Sequence, residues 1–353
     1  MSDQPTDTTA DTDTTPRSES GPARDIFLPV AAQPSIDTLV AYAEDAENLG
    51  YGRAWLPETW GRDAVTVLTA VAERTDSIGI GTSIVNVYSR SPALLGQTAA
   101  TLQEVSEGRF RMGLGPSGPA VIEGWHGVSY DRPLRRTRET IDIVRAVLSG
   151  ESVEYDGDIF TLSGLRLRCD PPETPPAIDA AGMGPTSVEL AGRFADGWHG
   201  LMLTKDGVRE RLDDLRRGAE LGDRDPEDVR VTLSLPCIAL EDRERARHLA
   251  REHLAFYVGA MGTFYREALA RQGFEDEATD IASEWANRNR EASLAAISDE
   301  LLDALGLAGT PEECREGFEA WADIDGVDAL SVSFPRGAEP GEIRTTMRAL
   351  APE

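Results

Sequence analysis

Short apolar runs alternate with longer amphipathic ones along most of this chain. Eight runs rich in Ile, Val, Leu and Ala carry the strand pattern: Ile26–Val30, Ala54–Pro57, Ile78–Val85, Arg109–Gly115, Ala177–Ala181, Gly197–Leu203, Val229–Ala239 and Ala329–Phe334. Between them, apolar positions recur every three or four residues and predict helices over Ile36–Leu49, Ala64–Arg74, Pro92–Val105, Arg135–Leu148, Ser187–Phe194, Val208–Leu221, Arg243–Tyr257 and Pro311–Ala322, with a last one over Glu342–Leu350. Eight β-then-α units with strands of the buried type call for a parallel sheet. Closure into a TIM (β/α)8 barrel accounts for the count, an open doubly wound sheet being the alternative.

Two segments break the rhythm. Within 150–169, the alternation Val153-Glu154-Tyr155 and the turn Asp156-Gly157-Asp158 predict an inserted hairpin. The stretch 259–306 is helical, carries Phe264, Tyr265 and Trp285, and is expected over the C-terminal mouth of the barrel or at a subunit contact. Residues 1–23 are polar, acidic and poor in aliphatics, so this tail is expected to be disordered, leaving 24–353 as a single barrel domain.

Charge changes the picture. There are 62 acidic residues against 35 basic ones, a formal charge of −27, which argues against nucleic acid or anionic membrane as partners and for a small-molecule substrate. Lys205 is the one lysine; every other basic residue is arginine. Such a surface suits molar salt, where the screening length falls to ~3 Å, and points to a halophilic, archaeal source. Cys169, Cys237 and Cys314 match no metal or disulfide spacing, the four histidines form no ligand pair, and no metal is expected. Without a signal peptide or a span of about 20 apolar residues, the chain reads as cytoplasmic.

In barrels the chemistry collects where strands end. After the second strand, Trp55-Leu56-Pro57-Glu58-Thr59-Trp60-Gly61-Arg62 crowds a carboxylate, indoles and a guanidinium; it either holds a planar ring or caps a helix. The run Gly113-Leu114-Gly115-Pro116-Ser117-Gly118-Pro119 is a tight loop that lets backbone approach a ligand ring, or a plain turn. Ala180-Ala181-Gly182-Met183-Gly184-Pro185-Thr186-Ser187 precedes a helix, whose free N–H groups suit a cofactor phosphate.

Taken in order, Glu58-Thr59, Gly81-Thr82-Ser83-Ile84, Arg90-Ser91-Pro92-Ala93, Gly113-Leu114-Gly115-Pro116, and Ala180-Ala181-Gly182-Met183-Gly184-Pro185 followed by Glu189 to Gly197, resemble the luciferase-like monooxygenase superfamily. Within it the pattern is similar to the branch using the deazaflavin coenzyme F-420. The GLGP loop, Arg132-Pro133-Leu134 and the glycine-proline loop before the helix look most like the methylenetetrahydromethanopterin reductases.

The resemblance implies a non-prolyl cis peptide at Ser83-Ile84 that forms a bulge behind the deazaflavin ring, and an Asn86 that contacts the ring edge or ribityl chain. It places Gly115, Pro116 and Ser117 beside the ring, and Ala181, Gly182, Met183, Gly184, Pro185 and Thr186 on the phosphodiester loop. Lys205 falls where relatives hold the phosphate or glutamyl tail. Glu58 stands where the family often has Asp, and Thr59 where it often has His; Glu58 is the candidate for an acid–base role. Two departures limit the transfer. Pro116-Ser117-Gly118 replaces a catalytic Glu of some F-420 enzymes, and Pro29-Val30 and Gly182-Met183 replace a carboxylate and a Gln of the methanopterin enzymes.

The implied activity is hydride transfer between reduced F-420 and a small acceptor, with a 5,10-methylene-tetrahydropterin of one-carbon metabolism, methanopterin or folate type, as leading substrate. A homo-oligomer, dimer or tetramer, is expected. The rivals are an FMN-dependent monooxygenase of the same superfamily and a non-catalytic barrel subunit.

Overall fold

In the computed structural model, residues 21–30 and 35–352 are described. The expected disordered tail lies outside them up to residue 20, but its last three residues do not: Ala23 opens the first strand and pairs with Ala329. Strands β1 (Ala23–Phe27), β2 (Arg53–Leu56), β3 (Gly79–Asn86) and β4 (Phe110–Gly115) are followed by the hairpin β5 (Val153–Asp156) and β6 (Thr161–Leu165). Then come β7 (Ile178–Ala181), β8 (Gly197–Gly200), β9 (Arg230–Ala239), β10 (Leu307–Gly309) and β11 (Ala329–Ser333). Parallel pairing runs β1-β2-β3-β4-β7-β8-β9-β11 and back to β1, which closes an eight-stranded TIM-type barrel. Each of its strands was legible as an apolar run. β10 was not, because three residues against the end of β9 are too short to show a period.

Helices α1 (Ile36–Asn48), α2 (Ala64–Ala72), α3 (Pro92–Val105), the short α4 (Pro119–Ile122), α5 (Pro133–Leu148), α6 (Pro185–Phe194) and α7 (Lys205–Leu221) connect the strands up to β9. After it, α8 (Arg243–Ala260) leads into α9 (Thr263–Ala270), α10 (Glu275–Ala286), α11 (Arg290–Ala295) and α12 (Asp299–Leu305). α13 (Pro311–Ala322) and α14 (Pro340–Ala349) complete the chain. α9 to α12 are the helical insertion; they pack on α8 through their own apolar cluster, which includes Leu254, Val258, Leu269, Ile281 and Leu301. The hairpin is fastened to α5 by the buried carboxylate of Glu139, which accepts the N–H groups of Asp158, Ile159 and Phe160. Among the described residues, no helix is long and apolar enough to cross a membrane.

Residues along the barrel strands alternate between two buried environments. Ile26, Ala54, Leu56, Ile80, Met112, Ile178, Val231, Leu233, Leu330 and Val332 face the helices and make the main apolar core. Offset by one, Asp25, Trp55, Arg111, Asp179, His199, Thr232 and Ser331 are buried on the opposite face, inside the barrel. The interior is therefore polar, where the strands had read as uniformly apolar. Glycines on neighbouring strands make room for it: a Cβ at Gly81 would lie 2.3 Å from the Trp55 ring, and one at Gly197 would lie 2.4 Å from Asp179 Oδ1.

Candidate active site

A cavity of about 590 Å³ opens at the C-terminal end of the barrel. Its floor is the bulge of β3. The Ser83-Ile84 peptide is cis, and the β3–β4 register shifts between Thr82 and Val85. There the Thr82 hydroxyl substitutes for a ladder contact, donating to Gly113 O and accepting from Gly113 N–H, both at 2.9 Å. The displaced backbone pushes Ser83 and Ile84 into the cavity, beside Gly115 and Ala181. Gly115 keeps that floor flat, since a Cβ there would lie 3.2 Å from the Ile84 side chain.

One side of the cavity is the loop before α6. Ala181, Gly182, Met183, Gly184, Pro185 and Thr186 all line it, as do Pro116 and Ser117 from the loop after β4. The loop is held from behind: Trp198 Nε1 donates to Gly182 O at 2.9 Å, and Ser187 Oγ accepts from Gly184 N–H at 3.2 Å while donating to Gly184 O at 2.8 Å. Among the described residues, the Met183 and Thr186 N–H groups take no protein acceptor, so two donors at the positive end of a ten-residue helix remain for an anion.

Another part of the lining is aromatic. Phe256 and Tyr257 from α8, and Phe264 and Tyr265 from α9, line the cavity, α9 being the one inserted helix that contributes to it. Trp285, grouped with them in the sequence reading, instead packs against Phe256 and under Arg290. His253 also faces the cavity and accepts the Arg336 N–H on Nδ1 at 3.2 Å. Burial, with Arg336 adding to it, pushes this imidazole down to about 4. It is therefore neutral at pH 7 with its hydrogen on Nε2.

The structure details the first of three expectations and corrects the other two. Glu58 lines the cavity, but its carboxylate is committed: Arg90 donates to both oxygens, at 2.5 and 2.9 Å, and the Ala64 N–H donates to Oε2 at 2.8 Å. The carboxylate therefore does cap α2 and hold the loop, while Glu58 still faces the cavity. Asn86 is fully buried and is not part of the cavity wall; its Oδ1 accepts the N–H groups of Tyr88 at 3.0 Å and Ser89 at 2.7 Å, closing the turn after β3. Lys205 is the first residue of α7, and its ammonium lies over the Trp321 ring at 5.6 Å, away from the cavity lining. The stacking surface of α13 captures it.

Sequence reading missed His199, His253, Ser234 and Ser333, all of which line the cavity. For His199 a signal existed: a titratable residue inside an otherwise apolar strand run, offset by one from the core-facing Trp198.

The model of the luciferase-like monooxygenase family matches residues 13–328. The 5,10-methylenetetrahydromethanopterin reductase of Methanolobus tindarius is 30% identical over 303 residues, covering 84% of this chain and 90% of that protein. An F-420-dependent glucose-6-phosphate dehydrogenase of Amycolatopsis mediterranei is 30% identical over 227 residues, 59% of this chain and 67% of that one. Among solved structures, the coenzyme F-420-dependent tetrahydromethanopterin reductase from Methanopyrus kandleri superposes with a TM-score of 0.80 at 21% identity, covering 95% of this chain and 98% of that one.

Proposed function

The chain belongs to the luciferase-like monooxygenase family, and from that premise we propose that it is a coenzyme F-420-dependent oxidoreductase. The observation carrying this reading is the joining, in one cavity, of a flat main-chain floor to a helix N-terminus with open donors. A planar tricyclic ring fits the first and a phosphodiester the second. Room exists at the anion end, where a Cβ at Gly184 would find nothing nearer than 3.9 Å. When bound, the deazaflavin supplies the hydride chemistry. The protein then has three tasks: Ser83, Ile84, Gly115 and Ala181 support the ring, the Gly182–Thr186 loop holds the phosphate, and α9 excludes water.

The acceptor we favour is a 5,10-methylene-tetrahydropterin. Two features support it. The aromatic wall from α8 and α9 offers stacking faces for a bicyclic ring, and direct hydride transfer needs no protein nucleophile, in keeping with the absence of a carboxylate at Pro116-Ser117-Gly118. Titration in molar KCl with F-420 and with FMN, followed by absorbance and fluorescence, tests the cofactor; tight FMN binding with no F-420 binding would move the reading to a flavin monooxygenase. Turnover of methylene-tetrahydromethanopterin or methylene-tetrahydrofolate with reduced F-420 then tests the acceptor.

Gly184→Asp places a carboxylate at the helix N-terminus where the phosphate belongs. F-420 affinity should fall at least tenfold, about 1.4 kcal/mol. A folded variant with unaltered affinity would show that the phosphate binds elsewhere.

A further inference from the structure

Beneath the cavity floor, side chains from four strands form one hydrogen-bonded line. Ser83 Oγ on β3 lies 2.9 Å from His199 Nδ1 on β8, and His199 Nε2 lies 3.0 Å from Asp179 Oδ2 on β7. Arg111 on β4 closes the line with two bonds to the Asp179 carboxylate, at 2.6 and 3.1 Å. Asp179, 1% exposed, and Arg111, 4% exposed, lie behind the lining, while Ser83 and the edge of His199, itself 4% exposed, reach the cavity. The Trp55 ring meets the imidazole edge-on at 4.4 Å. The hydride chemistry proposed above leaves this line without a task.

Its polarity follows from the charge at the buried end. Burial alone would raise the Asp179 carboxyl, but the Arg111 guanidinium, joined by His199, holds it well below the usual carboxylate range. An ionised carboxylate only accepts, so His199 Nε2 carries hydrogen and donates to it. With that hydrogen on Nε2, the uncharged form of the ring has its lone pair on Nδ1, to which the Ser83 hydroxyl donates. Ser83 Oγ therefore turns its own lone pairs toward the cavity. The next charged groups inside the barrel are Arg53, Arg230 and Asp25, with Arg230 3.6 Å from Asp25; Thr232, which pairs with His199 on β9, carries no charge.

We propose that Ser83 accepts a proton from the ligand on the cavity floor, with His199 and Asp179 as positioning residues that fix its hydrogen-bond polarity and take that proton up. The proposal rests on the F-420 reading for its reductant: loss of hydride from a reduced deazaflavin also frees one ring N–H proton. As that N–H bond breaks, Ser83 Oγ gains the proton and passes its own to His199 Nδ1. The product is an imidazolium paired with the Asp179 carboxylate, and charge balances. The imidazolium returns its proton through Ser83 once the cavity refills with water.

Nitrogen NMR of histidine-labelled, cofactor-free protein in molar KCl tests the polarity without any cofactor. With His199 assigned through His199→Gln, its ring should be in the Nε2–H form, and Ser83→Ala should move its Nδ1 resonance while the other histidines stay in place. A His199 ring protonated on Nδ1 at neutral pH overturns the proposal. For the proton step, single-turnover hydride transfer should slow at least tenfold in Ser83→Ala and change its pH profile, with Ser83→Thr restoring both. An unchanged rate and pH profile in Ser83→Ala also overturns it. Failure of the wild-type protein to bind F-420 sinks the cofactor reading instead, and the resonances still decide the polarity.

Discussion

Replacing Arg111 with methionine should lower the unfolding free energy by about 3–5 kcal/mol, the cost of leaving one partner of a buried ion pair without the other. The packing is kept, so the loss isolates the charge. Arg111 and Asp179 are both nearly inaccessible, and the guanidinium makes two bonds to the carboxylate. The sign of the pH effect is fixed as well. In the wild-type protein the Asp179 carboxyl is held below its ordinary value, so its contribution is present above about pH 4 and is lost as pH falls through the acid range. Without Arg111, burial dominates and raises that carboxyl, so acid relieves the variant by protonating Asp179. Urea unfolding at constant KCl, at pH 7 and at pH 5, should show the gap between the two proteins narrowing at the lower pH. A gap under about 1 kcal/mol at pH 7 would mean that the pair carries little of the fold.

Dilution of salt should melt this protein at moderate temperature. A formal charge of −27 repels itself, and the range of that repulsion grows from ~3 Å at 1 M to ~30 Å at 0.01 M salt. One effect runs the other way. Surface pairs such as Arg209 with Asp206 and Arg217 with Glu189 strengthen as screening is withdrawn. Each is worth about 0–1 kcal/mol and acts locally. The excess of 62 acidic over 35 basic residues leaves many carboxylates without such a partner, so repulsion wins. Thermal unfolding in molar KCl and in dilute buffer measures the difference. An unchanged midpoint would contradict both the electrostatic argument and the halophilic reading of the composition.

The alternation of short apolar and longer amphipathic runs made the barrel legible, because burial between barrel and helices imposes apolar residues on one face of every strand. The glycine-rich loops after β4 and β7 were legible for a similar reason, since few residue types let main chain approach a ligand. Side-chain roles were harder to read. Glu58 and Asn86 stand at the right strand ends, yet each is taken up by neighbours, Arg90 for one and the turn at Tyr88 and Ser89 for the other. Local sequence cannot show that competition. Lys205 was drawn away by an aromatic face on α13, more than a hundred positions along the chain. Ser83, His199 and Asp179 lie on three different strands, and only closure of the barrel brings them into line.

The cavity's two halves come from separate kinds of material. Its floor and anion end are largely main chain from the barrel, so exchange of side chains there changes volume but leaves the same N–H and C=O groups on offer. The aromatic wall is made of side chains on one continuous stretch, 253–271, which runs from the end of α8 into the first helix of the insertion. Under the proposed function, carrier and acceptor would be recognised by parts of the chain that can drift independently. A barrel built this way can be retooled for a new acceptor by transplanting that single stretch, while the half that holds the hydride carrier stays in place.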